Sequence, residues 1–135
     1  MRESLPCHAL CNSGMCVCFT EPALVVVYPD DVEVLAGDSL LLTCIGYGIP
    51  LPSLSWQKNE QTLTNSSKIF ISDSIISRGS TSLVRSSLLL CNASIEDSGD
   101  YSCTASNYIV DSKSENFSVS VQCTFTTLAL LEYFP

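Results

Sequence analysis

One run constrains this chain more than any other: Asp97-Ser98-Gly99-Asp100-Tyr101-Ser102-Cys103, taken with Cys44 and the single tryptophan, Trp56, upstream. Around these residues apolar side chains recur at every second position. Leu40, Leu42 and Cys44 share one face of a short strand, Leu54 and Trp56 a second, Leu88 and Leu90 a third. Tyr101, Cys103 and Ala105, then Phe117, Val119 and Val121, repeat the pattern. Ser55, Gln57, Leu89, Cys91, Asn116, Ser118 and Ser120 fall on the opposite faces. Ala23 to Tyr28 is β-branched enough for an edge strand that Pro29-Asp30 breaks; Val32 and Val34 follow, and Ile69 and Ile71 mark a further strand. Lys58-Asn59-Glu60-Gln61 reads as a turn and Asn107 to Ser112 as a hairpin loop. Ser77-Arg78-Gly79-Ser80 reads as a turn longer than a minimal hairpin needs. The chain is all-β.

The order of cysteine, tryptophan and Asp-x-Gly-x-Tyr-x-Cys resembles the immunoglobulin superfamily, over residues 23–122. After Cys44, the ladder Gly46, Gly48, Pro50, Pro52, Leu54, Trp56 is similar to the B strand, B–C loop and C strand of its intermediate-set (I-set) domains. Val34 to Cys44 resembles the approach to strand B, with Gly37 at a tight turn that other residues resist. The resemblance implies an immunoglobulin-like two-sheet antiparallel β-sandwich. It implies that Cys44 and Cys103 form a disulfide between the sheets, that Trp56 packs on it, and that the Tyr101 hydroxyl turns back to the backbone at a strand corner. It also implies a structural ion pair between Asp97 and Lys68, at the start of strand D.

With 135 residues there is room for one domain plus short extras. A hydrophobic content of 46% is enough for a core, and a net charge of -8 argues against nucleic-acid or anionic-membrane partners, which need clustered cations. Eight cysteines, an even number, belong to an oxidising compartment. The acceptor sequons at Asn65, Asn92 and Asn116 point the same way. An extracellular location follows.

The domain is expected at residues 21–122. Residues 1–20 form a Cys-rich N-terminal extension, with Cys7, Cys11, Cys16 and Cys18 spaced like part of an EGF-like module that lacks its last cysteine. A zinc knuckle using His8 and these cysteines is the rival reading, and a stapled extension without its own function is the plain one. Residues 123–135 read as a linker, a truncated continuation or an unrelated tail, with Glu132 interrupting the apolar run. Neither a signal peptide nor a membrane span is evident, so the chain is expected to be a piece of a larger secreted or membrane-anchored protein. Additional disulfides are open to Cys7, Cys11, Cys16 and Cys18 and to Cys91 and Cys123. Outward Cys91 has three fates: a second disulfide with Cys123, an intermolecular bond, or a free thiol.

No enzyme is expected. His8, the only histidine, lies far in sequence from any candidate nucleophile, and Glu96, Asp97 and Asp100 have a structural explanation that outweighs calcium binding or acid–base work. No catalytic residue, cofactor or metal site is expected. The function read here is an extracellular protein-binding module of a cell-surface receptor or adhesion protein, meeting a protein ligand or a neighbouring extracellular domain. It would reach a membrane only through another part of the parent chain. The alternative is a structural spacer of a secreted or matrix protein, and an intracellular I-set domain fits eight cysteines poorly. A sugar on Asn116 would cover part of the sheet holding residues 54–56, 101–105 and 117–121, directing contact to the opposite sheet, its edge at residues 23–28 or the loops at the N-terminal pole.

Overall fold

The computed structural model describes residues 8–12 and 14–123, with 8–12 and 15–18 as backbone alone. A first hairpin joins β1 (His8–Asn12) to β2 (Met15–Phe19). The sandwich then runs β3 (Glu21–Val27), β4 (Val32–Leu35), β5 (Leu40–Ile49), β6 (Ser53–Lys58) and β7 (Gln61–Thr62). It continues with β8 (Ile69–Arg78), β9 (Thr81–Leu90), β10 (Gly99–Ser106), β11 (Ser112–Lys113) and β12 (Phe117–Gln122). One sheet has the order β3-β5-β9-β8; the other runs β4-β12-β10-β6-β7, with β11 paired to β10. All sandwich pairings are antiparallel except β4 with β12, which run parallel.

The inward positions of the facing strands make the core. Leu42 and Cys44 on β5, Leu54 and Trp56 on β6, Leu88 and Leu90 on β9, and Tyr101, Cys103 and Ala105 on β10 are all buried. Phe117, Val119 and Val121 close it from β12. Phe117 stacks on Tyr101 at 6.2 Å between ring centroids and meets Trp56 edge-on at 6.4 Å, two arrangements aromatic rings favour.

Several boundaries differ from the sequence reading. β8 is ten residues long, and the β8–β9 connection is a two-residue turn, because Gly79 takes φ +62° and lets Arg78 pair directly with Thr81. Asn59 and Glu60, both at positive φ, form the equally tight turn from β6 to β7, so Gln61 already belongs to a strand. The last edge is irregular: residues 114–116 stand opposite Ser102 and Cys103 in a bulge. Ser114 fills it, accepting from the Cys103 N–H at 2.9 Å through its hydroxyl.

Candidate functional site

At the centre, Cys44 and Cys103 are joined as a disulfide across the two sheets, with Cα atoms 6.7 Å apart. Trp56 is fully buried, and its Nε1–H donates to Ser86 Oγ at 2.9 Å. Ser86 is the cross-strand partner of Cys44 and has no accessible surface. The sequence reading passed over it, although its place between inward Val84 and Leu88 on a period of two was the available signal. The Tyr101 hydroxyl donates to the Asp97 carbonyl at 2.6 Å, and burial, with the nearby Asp97 charge, pushes its pKa up to about 12.

Lys68 Nζ lies 2.7 Å from Asp97 Oδ2. The same carboxylate accepts the Ser94 N–H at 2.8 Å at the head of a short 3-10 turn, Ile95–Asp97. Burial pushes the Asp97 carboxyl up, but the bond from Lys68 and the backbone N–H outweigh it and hold the group below its ordinary value. Glu96 and Asp100 are exposed. Among the described residues no group of His, Cys, Asp and Glu is placed to hold a metal ion.

The remaining candidates lie at the surface. Asn65, Asn92 and Asn116 are exposed, in the β7–β8 loop, in the turn after β9, and immediately before β12. Asn65 Oδ1 accepts the Ile71 N–H at 2.7 Å. Cys91 and Cys123 carry free thiols. The bridge considered between them is not formed: the Ala36-Gly37 turn stands between their segments, its N–H groups bonded to the Gln122 and Ala93 carbonyls. Cys7 and the side chains of Cys11, Cys16 and Cys18 lie outside the described residues; by backbone register Cys11 stands opposite Cys16.

The outer faces of the two sheets differ in chemistry. On the β10–β6 side, Gln57 accepts from Thr104 and Ser102 at 3.0 and 3.3 Å and donates to Ser55 at 2.9 Å, a polar ladder across the strands. On the four-stranded side the outward row at the β5 start is apolar: Leu41, 62% exposed, pairs with Leu89, which pairs with Phe70, 50% exposed. At the N-terminal pole, buried Asn107 ties the β10–β11 loop down, donating to the Glu21 and Pro50 carbonyls at 2.7 and 3.0 Å. Sequence reasoning placed Asn107 only as a loop residue.

The immunoglobulin domain family matches residues 21–107, more than half of the chain. The chain is 34% identical over 91 residues to human Brother of CDO, covering 65% of this chain and 7% of that protein. It is 33% identical over 89 residues to mouse neural cell adhesion molecule L1-like protein, covering 66% and 6%. It thus spans a small fraction of these relatives. Among solved structures, the titin M10–obscurin-like 1 complex contains a similar chain, with 28% identity, a TM-score of 0.63, and coverage of 78% of this chain and 97% of that one. The domain is not an enzyme. An interior disulfide under a buried tryptophan, a tyrosine bonded back to its own corner and the family match agree: the chain belongs to the immunoglobulin domain family.

Proposed function

We propose that this is an I-set protein-binding module of an extracellular receptor or adhesion protein, preceded by a partial EGF-like segment. The observation that carries the reading is the exposure of Asn65, Asn92 and Asn116, together with the Cys44–Cys103 disulfide. Sequon asparagines accept glycans in the secretory pathway, where interior disulfides also form. Similarity to a neural cell adhesion molecule supports the adhesion role. Its partners are proteins or neighbouring domains, met by a sheet face or loop tips, and the fold alone does not choose among them.

Surface biotinylation of cells expressing the parent protein, followed by peptide mapping, tests this. Labelling from outside, with glycan on the sequons and Cys44 linked to Cys103, is the expected result. A parent protein labelled only after permeabilisation, with bare asparagines, overturns it.

A further inference from the structure

The three acceptor triplets differ in what folding leaves of them. In Asn92-Ala93-Ser94, Asn92 takes a left-handed φ of +54° and Ala93 is buried. The Ala93 N–H donates to the Asp38 carbonyl at 2.9 Å, and its own carbonyl accepts the Gly37 N–H at 2.8 Å. The Ser94 hydroxyl accepts from Lys68 Nζ at 3.0 Å and donates to Asp97 Oδ2 at 3.2 Å, the oxygen that also takes the Ser94 N–H. In Asn116-Phe117-Ser118 the middle residue belongs to the core, stacked on Tyr101, and the Ser118 N–H donates to Asp31 Oδ1 at 2.8 Å. Asn65-Ser66-Ser67 is built otherwise. All three of its residues are exposed, and the Ser67 hydroxyl bonds to no other group among the described residues. Its ties to β8 lie at the surface: the Ser66 hydroxyl accepts the Lys68 and Ile69 N–H groups, both at 3.1 Å, and Asn65 Oδ1 accepts the Ile71 N–H.

We propose that Asn65 is the glycan acceptor the folded domain keeps open, and that Asn92 and Asn116 take a glycan only before the sandwich closes. This rests on the extracellular reading and deepens it by giving each sequon its time of modification. In the transfer, asparagine Nδ2 attacks C1 of the first sugar of an oligosaccharide carried on a lipid pyrophosphate. The N–C1 bond forms, the C1–O bond breaks with its electron pair leaving on the pyrophosphate, and Nδ2 gives up one proton. The triplet requires Ser or Thr at its third position, so the transferring enzyme must reach that hydroxyl as well as the amide. Reaching the Ser94 hydroxyl means opening the Lys68–Asp97 corner and lifting buried Ala93. Threading the triplet at Asn116 means drawing Phe117 out of the core. Both openings use up most of the domain's stability, and a domain of ordinary stability is unfolded in fewer than about one molecule in 10³. At Asn65 only exposed bonds yield, an opening of little cost. The product fits the same place, because a sugar on Nδ2 leaves Oδ1 to accept from Ile71. Occupancy at Asn92 and Asn116 then records how long the chain stayed open before it folded, and occupancy at Asn65 does not.

The test uses the full chain, secreted from cells in which synthesis of the lipid-linked sugar is blocked, so that it folds and oxidises without glycans. It is then incubated with purified oligosaccharyltransferase and a lipid pyrophosphate-linked oligosaccharide, either folded or reduced and unfolded. Mass spectrometry of peptides follows each sequon, and Trp56 fluorescence reports the fold. Asn65 is expected to be modified at a similar rate in both states, while Asn92 and Asn116 are modified about 100-fold or more slowly in the folded chain. Ser67→Ala should abolish transfer at Asn65 in both states without moving the fluorescence. Transfer to Asn92 or Asn116 that is as fast in the folded chain as in the unfolded one overturns the proposal. So does an Asn65 modified only after unfolding, or an unfolded chain that takes sugar at none of the three. None of these results bears on whether the parent protein reaches the cell surface, which biotinylation decides separately.

Discussion

Trp56 and Ser86 share the innermost polar contact of this domain, an indole N–H donating to a hydroxyl at 2.9 Å beside the disulfide. The indole needs this partner because no water reaches its nitrogen. Ser86→Ala leaves the donor unpaired and should cost about 1–3 kcal/mol. Trp56→Ala removes the ring as well and should cost about 3–5 kcal/mol. Urea denaturation measures both; an unchanged midpoint for Ser86→Ala would refute the role given to that bond.

The Cys44–Cys103 link closes a loop of separation 59 in the unfolded chain. The chain-entropy model puts its effect at about 4 kcal/mol. Replacing both cysteines by alanine should lower the melting temperature sharply while Cys91→Ser does not. Calorimetry of the two variants compares them directly.

Asp97 and Lys68 predict a pH dependence whose sign follows from the depressed carboxyl. A group titrating lower in the folded state binds protons more readily when unfolded, so its contribution is present above the ordinary aspartate range. It is lost as pH falls below about 4, through the folded value. Asp97→Ala should remove that acid-side slope and cost about 2 kcal/mol, discounted because the Lys68 side chain is 33% exposed. A double-mutant cycle with Lys68→Ala that returns no coupling sinks the pairing.

Gly48 is where the chain has no room for a side chain. A Cβ there would stand 2.8 Å from Asn107 Nδ2 and 3.2 Å from the Ala23 Cα. Gly48→Ala should therefore displace the Asn107 amide and loosen the β10–β11 loop, at about 1–3 kcal/mol. Faster hydrogen exchange at Ile109, whose N–H the Asn107 side chain accepts at 3.2 Å, is the specific readout.

The strands were legible because each buries one face, and a period of two marks Leu42, Cys44, Trp56, Leu88 and Tyr101 without reference to any partner. What the pattern could not carry was the chemistry of single inward polar residues. Ser86, Asn107 and Ser114 are buried because a neighbour's N–H or C=O needs them, and that neighbour lies far along the chain. The length of β8 was missed for a related reason. Its outer half is exposed on both faces, so alternation fades beyond Ile71 although pairing with β9 continues to Arg78. The pairing of Cys91 with Cys123 rested on a shared pole, and a shared pole still leaves space for an intervening turn.

The parallel pairing of β4 with β12 sets how the domain bears load. Val32 to Leu35 lie beside Val119 to Gln122 in register, and β12 is the strand by which the chain leaves the sandwich. Tension that passes β3 and acts between residues 32 and 122 pulls these neighbouring strands in opposite directions along their length. Their hydrogen bonds are then sheared together and must fail as a group, where a hairpin pulled from its open end would unzip one bond at a time. In a protein stretched between two anchored surfaces, the grip of β4 on β12 would be what yields last before the sandwich opens.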